Sequence, residues 1–230
     1  MEAIILAGGF GTRLSHIVSD VPKPMALVCE QPFLKYIFDY LFQNGVNHII
    51  LAVGYKADII QQYFGDNYNG ISITYSLEDI PLGTGGAIKK ALECCKEDNV
   101  FIINGDTYFD VDLNKIKAFH SEKDSNLSIA VKSMRNFERY GVVVIQDNKI
   151  KKFEEKKLTL EGKINGGVYL INSKIMSAVN KKSFSFESEI LESGLVDIYA
   201  LESDGYFIDI GVPEDYYRAQ IDFKKMWSVP

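Results

Sequence analysis

The 230-residue chain reads as an α/β protein built on a doubly wound, largely parallel mixed sheet. Three observations point there. In the first half, short apolar runs alternate with amphipathic segments of helical length, the pattern of βαβ units and parallel pairing. The first apolar run ends in glycines, the mark of a sharp strand-to-helix turn. The second half becomes richer in β character, with no Pro/Ser-rich linker, low-complexity stretch or internal repeat before it. A single domain over residues 1–230 follows, divided into a 1–115 half and a 116–230 half.

Ala3–Ala7 is a compact apolar run and opens the chain as a strand. Pro32–Gln43 carries Phe33, Leu34, Ile37, Phe38, Leu41 and Phe42 at helical spacing. His48–Val53 is a buried-strand candidate. Lys56–Phe64 predicts a helix with Ile59, Ile60, Tyr63 and Phe64 on one side. Ile71–Tyr75 alternates like a strand, Thr84–Cys95 predicts a helix, and Val100–Ile103 is a strand running into Asn104-Gly105-Asp106. In the second half Leu127–Lys132, Gly141–Gln146, Gly167–Ile171 and Phe207–Ile210 are strand candidates, and Pro213–Met226 is a closing helix.

Composition narrows the function classes. Net charge is −6 and pI about 5.2, so the basic excess of a polyanion binder is absent and nucleic acid is not an expected partner. A few local cations still suffice for a small phosphorylated ligand. Cys29, Cys94 and Cys95 form no disulfide framework and fit a reducing, cytoplasmic location. The first residues lack the basic n-region of a signal peptide. No apolar run approaches the roughly 20 residues needed to span a bilayer, so no membrane partner is expected.

Gly8-Gly9-Phe10-Gly11-Thr12-Arg13-Leu14 directly follows the first strand. Glycines let a backbone approach a phosphate closely, and successive N–H groups form an anion-binding nest. Glycines alone suit a structural turn equally well. Arg13 shifts the balance, because its fork of donors matches phosphate oxygens. Lys23 stands between Pro22 and Pro24, which stiffen the backbone around a second cation. The loop is not a Walker A sequence, since no Gly-Lys-Ser/Thr is present. It also fails the dinucleotide pattern, whose third glycine is replaced by Leu14.

With Pro22-Lys23-Pro24 after it, this loop resembles the signature of the sugar-1-phosphate nucleotidyltransferases. Pro81-Leu82-Gly83-Thr84-Gly85-Gly86-Ala87, Asn104-Gly105-Asp106, Phe153-Glu154-Glu155-Lys156 and Asp209-Ile210-Gly211-Val212-Pro213 resemble further family motifs in the family's order. Tyr75-Ser76-Leu77-Glu78 before the Pro81–Gly86 loop looks most similar to the D-glycero-D-manno-heptose 1-phosphate guanylyltransferases. Two departures, Val212 where Thr is common and Phe207 where Trp is frequent, are compatible with packing roles. The resemblance implies a Rossmann-like fold of the nucleotide-diphospho-sugar transferase type. It implies that Arg13 and Lys23 are catalytic. It places Leu6, Ala7, Gly8, Gly9, Gly11, Thr12, Glu78, Gly83, Thr84 and Asp106 at the nucleotide, in the first half. In the second half, Gly141, Glu155, Lys156, Asn165, Gly167 and Glu187 would bind the sugar phosphate. Lys156 would hold its phosphate and Glu155 a hydroxyl. Family habit and surface-prone apolar residues lead to the expectation of a homodimer.

The implied reaction is attack of a sugar 1-phosphate oxygen on the α-phosphorus of an NTP, with pyrophosphate leaving. The nucleophile is already ionised, so cations and positioning supply most of the catalysis. This agrees with three histidines in no recognisable triad and no nucleophile elbow. Asp106 ends an apolar strand, where ligands bind in open α/β sheets, and Asp209 has a comparable context. Such a pair is expected to hold Mg²⁺ together with substrate phosphates. Asp110-Val111-Asp112 also looks like the D-x-D motif of glycosyltransferases, but Asp112 is a good N-cap for a helix starting at Leu113. Lys151, Lys152, Lys156 and Lys157 read, without the resemblance, as a solvated basic face.

Glu78 favours GTP, since a carboxylate accepts from the N1–H and N2–H₂ edge of guanine and leaves uracil poorly matched. Backbone groups at Gly83 could read the base instead, and a solvent-facing Glu78 is the plain alternative. Heptose and mannose 1-phosphates share ring stereochemistry and differ by one carbon, so both remain open as substrates, as do UTP and CTP. A D-x-D glycosyltransferase and a catalytically silent ligand sensor are the readings from outside the family activity. Arg13, Lys23, Asp106 and Asp209 argue against the silent one.

Overall fold

The structure is a computed structural model and describes residues 1–9, 18 and 20–227. In chain order its elements are β1 (Glu2–Leu6), β2 (Leu27–Val28), β3 (Gln31–Pro32), α1 (Phe33–Gln43), β4 (His48–Val53), α2 (Ala57–Phe64), β5 (Asn67–Tyr68), β6 (Ile71–Leu77), α3 (Gly83–Leu92), β7 (Asn99–Asn104), β8 (Thr107–Phe109) and α4 (Leu113–Glu122). There follow β9 (Leu127–Phe137), β10 (Val143–Gln146), β11 (Lys149–Phe153), β12 (Thr159–Asn172), β13 (Tyr199–Glu202), β14 (Phe207–Asp209) and α5 (Pro213–Met226).

The strands β10-β11-β13-β9-β12-β7-β1-β4-β6-β5 form one ten-stranded sheet. Its centre, β7-β1-β4-β6, is parallel. Followed through all the pairings, β1, β4, β6, β7, β9, β10 and β13 point one way and β5, β11 and β12 the other. The mixed, mainly codirectional sheet expected from the sequence is therefore present.

The central strands read as continuous apolar runs because both faces are covered. Ala3, Ile5, Ile49, Leu51, Val53, Phe101 and Ile103 face one core, which α1, α2, α4 and α5 cover. Ile4, Ile50, Ala52, Val100 and Ile102 face a second core, covered by α3 and by short helical turns at Ser173–Ala178 and Glu187–Leu191. α5 is fixed by aromatic packing: Phe223 stacks on Phe33 at 5.9 Å and meets Tyr36 and Tyr108 edge-on at 4.7 and 5.5 Å.

Chain order moves outward from β1 through β4 to β6, then α3 carries it back across to β7 on the other side of β1. Such a switch of direction opens a crevice at the carboxyl ends of the strands. Outside the large sheet, β8 and β14 form an antiparallel ribbon in which Thr107 faces Asp209. β2 and β3 form a second small ribbon.

Several elements exceed the sequence expectation. β9 continues to Phe137 and β12 begins at Thr159, because each supplies the other's hydrogen-bond ladder along this polar stretch. Glu155 and Lys156 lie just beyond the end of β11, in an exposed connection.

Candidate active site

The crevice is a cavity of about 690 Å³ at the carboxyl ends of all four central parallel strands. Leu6, Ala7, Gly8 and Gly9 reach it from β1, Gly54 and Tyr55 from β4, Glu78 and Asp79 from β6, and Asn104 and Asp106 from β7. Gly83 and Thr84 contribute the start of α3, and Lys23, Glu187 and Gly211 arrive from elsewhere in the chain. Its size and its mixture of apolar walls with a few polar groups suit a small-molecule site.

The two aspartates meet because of the β8–β14 ribbon. Asp106 lies just before β8 and Asp209 ends β14, and the register sets Asp209 opposite Thr107. Ile210 N–H donates to the Asp106 carbonyl at 3.0 Å, which locks the two strand ends together. Gly105 lets the chain before Asp106 pass close to the end of β1, since a Cβ there would lie 2.5 Å from the Leu6 carbonyl oxygen.

Lys23 Nζ donates to Asp106 Oδ2 at 2.5 Å and lies 3.7 Å from Asp209 Oδ1. It starts a tight turn, Lys23–Met25, whose Pro24 and Met25 are buried. The stiff setting read from the two flanking prolines is thus an anchored one. Burial raises the Asp209 pKa, and the negative charge of Asp106 raises it further. Lys23, the Gly211 N–H at 2.7 Å and Arg139 oppose that rise without cancelling it. Two carboxylates converging on one ammonium form a pocket that calls for positive charge. The donor set suits a hard divalent cation held by one or two carboxylates plus phosphate oxygens. Among the described residues no cluster of three or more metal-ligating side chains occurs.

At the other end of the cavity Glu78 is half-buried. Its Oε2 accepts from Leu82 N–H at 2.9 Å, so part of this carboxylate closes the turn into α3. Its Oε1 lies against Gly8, where a Cβ would come within 2.9 Å.

The Gly83–Gly86 run has a local explanation. A Cβ on Gly83 would lie 2.6 Å from the Phe184 carbonyl oxygen. One on Gly85 would overlap the Phe184 ring, and one on Gly86 the Lys182 backbone. Gly85 N–H donates to the Phe184 carbonyl and Phe184 N–H to the Leu82 carbonyl, both at 2.9 Å. The glycines therefore seat the 182–187 segment on α3. Glu187 belongs to this seat: its Oε2 accepts from the hydroxyls of Thr84 at 2.6 Å and Ser185 at 2.8 Å. The structure thus places it beside Thr84, on the side of the site assigned to the nucleotide.

The other residues expected at the sugar phosphate do not line this cavity. Asn165 Nδ2 donates to the Tyr169 hydroxyl at 2.8 Å, and its Oδ1 accepts from Gly167 N–H at 3.0 Å. Gly167 adopts φ +73°, and a Cβ would sit 2.8 Å from Asn104 Nδ2, so Asn165 and Gly167 border the cavity through Asn104. Gly141 packs against the Glu154 backbone. Glu155 and Lys156 are exposed, and the basic-face reading of their neighbours fits Lys157 pairing with Glu154 at 2.9 Å. Asp112 caps α4, accepting from the Asn114 and Lys115 N–H groups at 2.9 and 3.2 Å, in line with the N-cap reading of Asp110-Val111-Asp112. Gly11, Thr12 and Arg13 lie outside the described residues.

Sequence reasoning passed over Tyr55, Asp79 and Arg139. Tyr55 and Asp79 follow strands β4 and β6, and the strand-end rule that selected Asp106 would have found both. Arg139, two residues before Gly141, carried no signal of its own. Its Nη2 lies 3.5 Å from Asp209 Oδ2 only because the chain folds β14 beneath it.

The sequence profile of the family described as "Nucleotidyl transferase" matches residues 2–225. The D-glycero-alpha-D-manno-heptose 1-phosphate guanylyltransferase of Aneurinibacillus thermoaerophilus is 51% identical over 223 residues, covering 96% of this chain and 97% of that protein. The protein of the same name from Campylobacter jejuni is 48% identical over 227 residues, covering 96% of this chain and 100% of the relative. Among solved structures, HddC from Yersinia pseudotuberculosis complexed with GMP-PN superposes with a TM-score of 0.87 at 40% identity, over 97% of this chain and 99% of the other. With the switch-point cavity and its paired aspartates, these similarities establish that the chain belongs to the nucleotidyl transferase family.

Proposed function

We propose that this protein joins GTP to D-glycero-α-D-manno-heptose 1-phosphate, releasing GDP-heptose and pyrophosphate, with Mg²⁺, in the cytoplasm and for surface-polysaccharide synthesis. One observation carries the reading: Lys23, Asp106 and Asp209 converge at one end of a cavity whose other end presents Glu78. The near full-length relatives named for the heptose substrate support the choice of sugar.

In the reaction an oxygen of the sugar 1-phosphate forms a bond to the α-phosphorus of GTP. The bond from that phosphorus to the bridging oxygen breaks, and pyrophosphate leaves with the electron pair. The obstacle is the approach of two anions. Asp106 and Asp209 would hold Mg²⁺, which when bound neutralises charge on the triphosphate and the leaving pyrophosphate. Lys23 is a positive group already placed between them, on a turn that costs no further ordering. Gly8 and Gly9 line the cavity, and the family resemblance places Arg13 on the triphosphate. Glu78 Oε1 offers an acceptor to the guanine edge, while the bond from Leu82 N–H to Oε2 orients the carboxylate. Asn165, held by Tyr169 and Gly167, would present a fixed amide to the sugar. Gly141, Glu155 and Lys156 would close over the sugar from the second half.

The test mixes the protein and Mg²⁺ with each NTP and either heptose or mannose 1-phosphate, and measures pyrophosphate. GTP with the heptose phosphate is expected to give the highest kcat/KM. No pyrophosphate with any pair would end the proposal, and a preference for UTP would remove the role given to Glu78.

A further inference from the structure

Three segments meet behind Asp209. The first is the connection between β9 and β10, where Tyr140 packs edge-on against Phe207 of β14 at 5.8 Å. Its neighbour Gly141 presses on the Glu154 backbone. These contacts bring Arg139 over the end of β14, its guanidinium lying 5.4 Å from the Tyr140 ring. The second is β14 itself. The third is the first turn of α5, where Pro213 starts the helix and Asp215 follows.

Arg139 stands between two carboxylates and treats them unequally. Its Nη1 donates a hydrogen bond to Asp215 Oδ2. Towards Asp209 it makes only an ion pair, Nη2 to Oδ2 at 3.5 Å. Asp215 is well buried, with 13% of its side chain exposed, and its Oδ1 is matched by Arg218 at 3.2 Å. Asp209 Oδ1 is occupied by Gly211 N–H and faces Lys23. Asp209 Oδ2 is therefore the oxygen that Arg139 would capture if Asp215 released it. A guanidinium hydrogen-bonded to Asp209 Oδ2 would compete directly with any cation.

We propose that Asp215 parks Arg139 and so keeps Asp209 open as a cation ligand. Asp215 and Arg139 act as positioning residues through Asp209. The inference rests on the reading of Asp209 as a metal ligand in the proposed function.

The experiment titrates Mn²⁺ alone into the full chain and follows free ion by electron paramagnetic resonance. Asp215→Asn frees the guanidinium and is expected to weaken Mn²⁺ binding on the order of 10-fold. The double variant Arg139→Gln/Asp215→Asn removes the competitor and is expected to return to within roughly twofold of the parent, given that coupled neighbours behave non-additively. Asp222→Asn, which removes an α5 carboxylate that pairs with Arg218 at 3.9 Å, serves as a charge control and should bind as the parent does. Parent-like binding by Asp215→Asn overturns the inference. So does a double variant as weak as the single one, because α5 damage would then be the cause. Equal weakening by Asp222→Asn also overturns it, as an effect of net charge. If Asp209→Asn binds Mn²⁺ like the parent, the metal-ligand reading fails and takes this inference with it. If Asp209→Asn loses binding while Asp215→Asn does not, only the parking role falls.

Discussion

At Gly211 the site is built to the tolerance of one methyl group. A Cβ there would lie 2.8 Å from Asp209 Oδ1 and 3.0 Å from Lys23 Nζ. Both neighbours are side-chain ends, so the fold can absorb the intrusion while the polar geometry cannot. Gly211→Ala is expected to change the urea midpoint little, within the roughly 0.5 kcal/mol of a benign substitution. It should nevertheless lower kcat by at least about tenfold, the scale on which small displacements of positioned groups act. A parent-like kcat would show that the Lys23–Asp209 approach is dispensable. This residue illustrates what was legible beforehand. The motif Asp209-Ile210-Gly211 could be recognised in the sequence, and so could Lys23 between its prolines. That Gly211 separates the two could not, because Lys23 and Asp209 are brought together only by the packing of distant segments. Arg139 was missed for the same reason: neither carboxylate that defines it is near it in sequence.

Among the elements, the β8–β14 ribbon contributes most to the site; β14 was read as a strand at Phe207–Ile210, but β8 and the pairing of the two were not visible in the sequence. β8 has three residues, too few for a periodic signal, and its partner lies about a hundred residues away. Elements with a full apolar stripe fared better: β4 and α5 have the bounds read from the sequence, and α1 differs by one residue. β11 and β13 were passed over because lysines dilute the first and the second has four residues. The glycine run at the start of α3 was read as a ligand loop, and Gly83 does line the cavity; the packing of Gly83, Gly85 and Gly86 against residues 182–184 carried no signal in the sequence. α4 offers a clean test of a discarded motif. Asp112→Ala removes a cap that serves two N–H groups and should cost about 1 kcal/mol in urea unfolding. Pyrophosphate release and its Mg²⁺ dependence should stay at parent values. A shifted metal titration would revive the D-x-D reading.

Across the whole molecule, the end of the sheet opposite the site is tied by a buried polar network. His48 Nδ1 donates to Glu2 Oε1 at 2.7 Å, and the Lys96 and Glu97 N–H groups both donate to Oε2 at 2.7 Å. Burial alone would raise the Glu2 pKa, but these bonds outweigh it and hold it below the ordinary carboxylate value of 4.5. Elsewhere, burial lowers the pKa of His120 from 6.5. Its Nδ1 lies 2.9 Å from Ser128 Oγ, and its Nε2 has no partner among the described residues. Both groups bind fewer protons folded than unfolded, so each makes stability rise with pH. The His120 contribution is complete above 6.5 and declines as pH drops below that value. That of Glu2 is complete above 4.5 and is lost as pH falls through its lower folded value. Urea unfolding across this range should show two steps, with His120→Gln removing the upper and Glu2→Gln diminishing the lower, to which Glu202 also contributes. A single step unchanged by either variant would refute the assignment. The seat that residues 182–187 provide for α3 has a further consequence, for the order in which the protein takes shape as it is synthesised. The first turn of α3 is translated early, but Phe184 and Lys182, which cover its glycines, leave the ribosome about a hundred residues later. Until then a nascent chain carries that turn without its cover, so the α3 end of the crevice matures only when most of the protein has emerged.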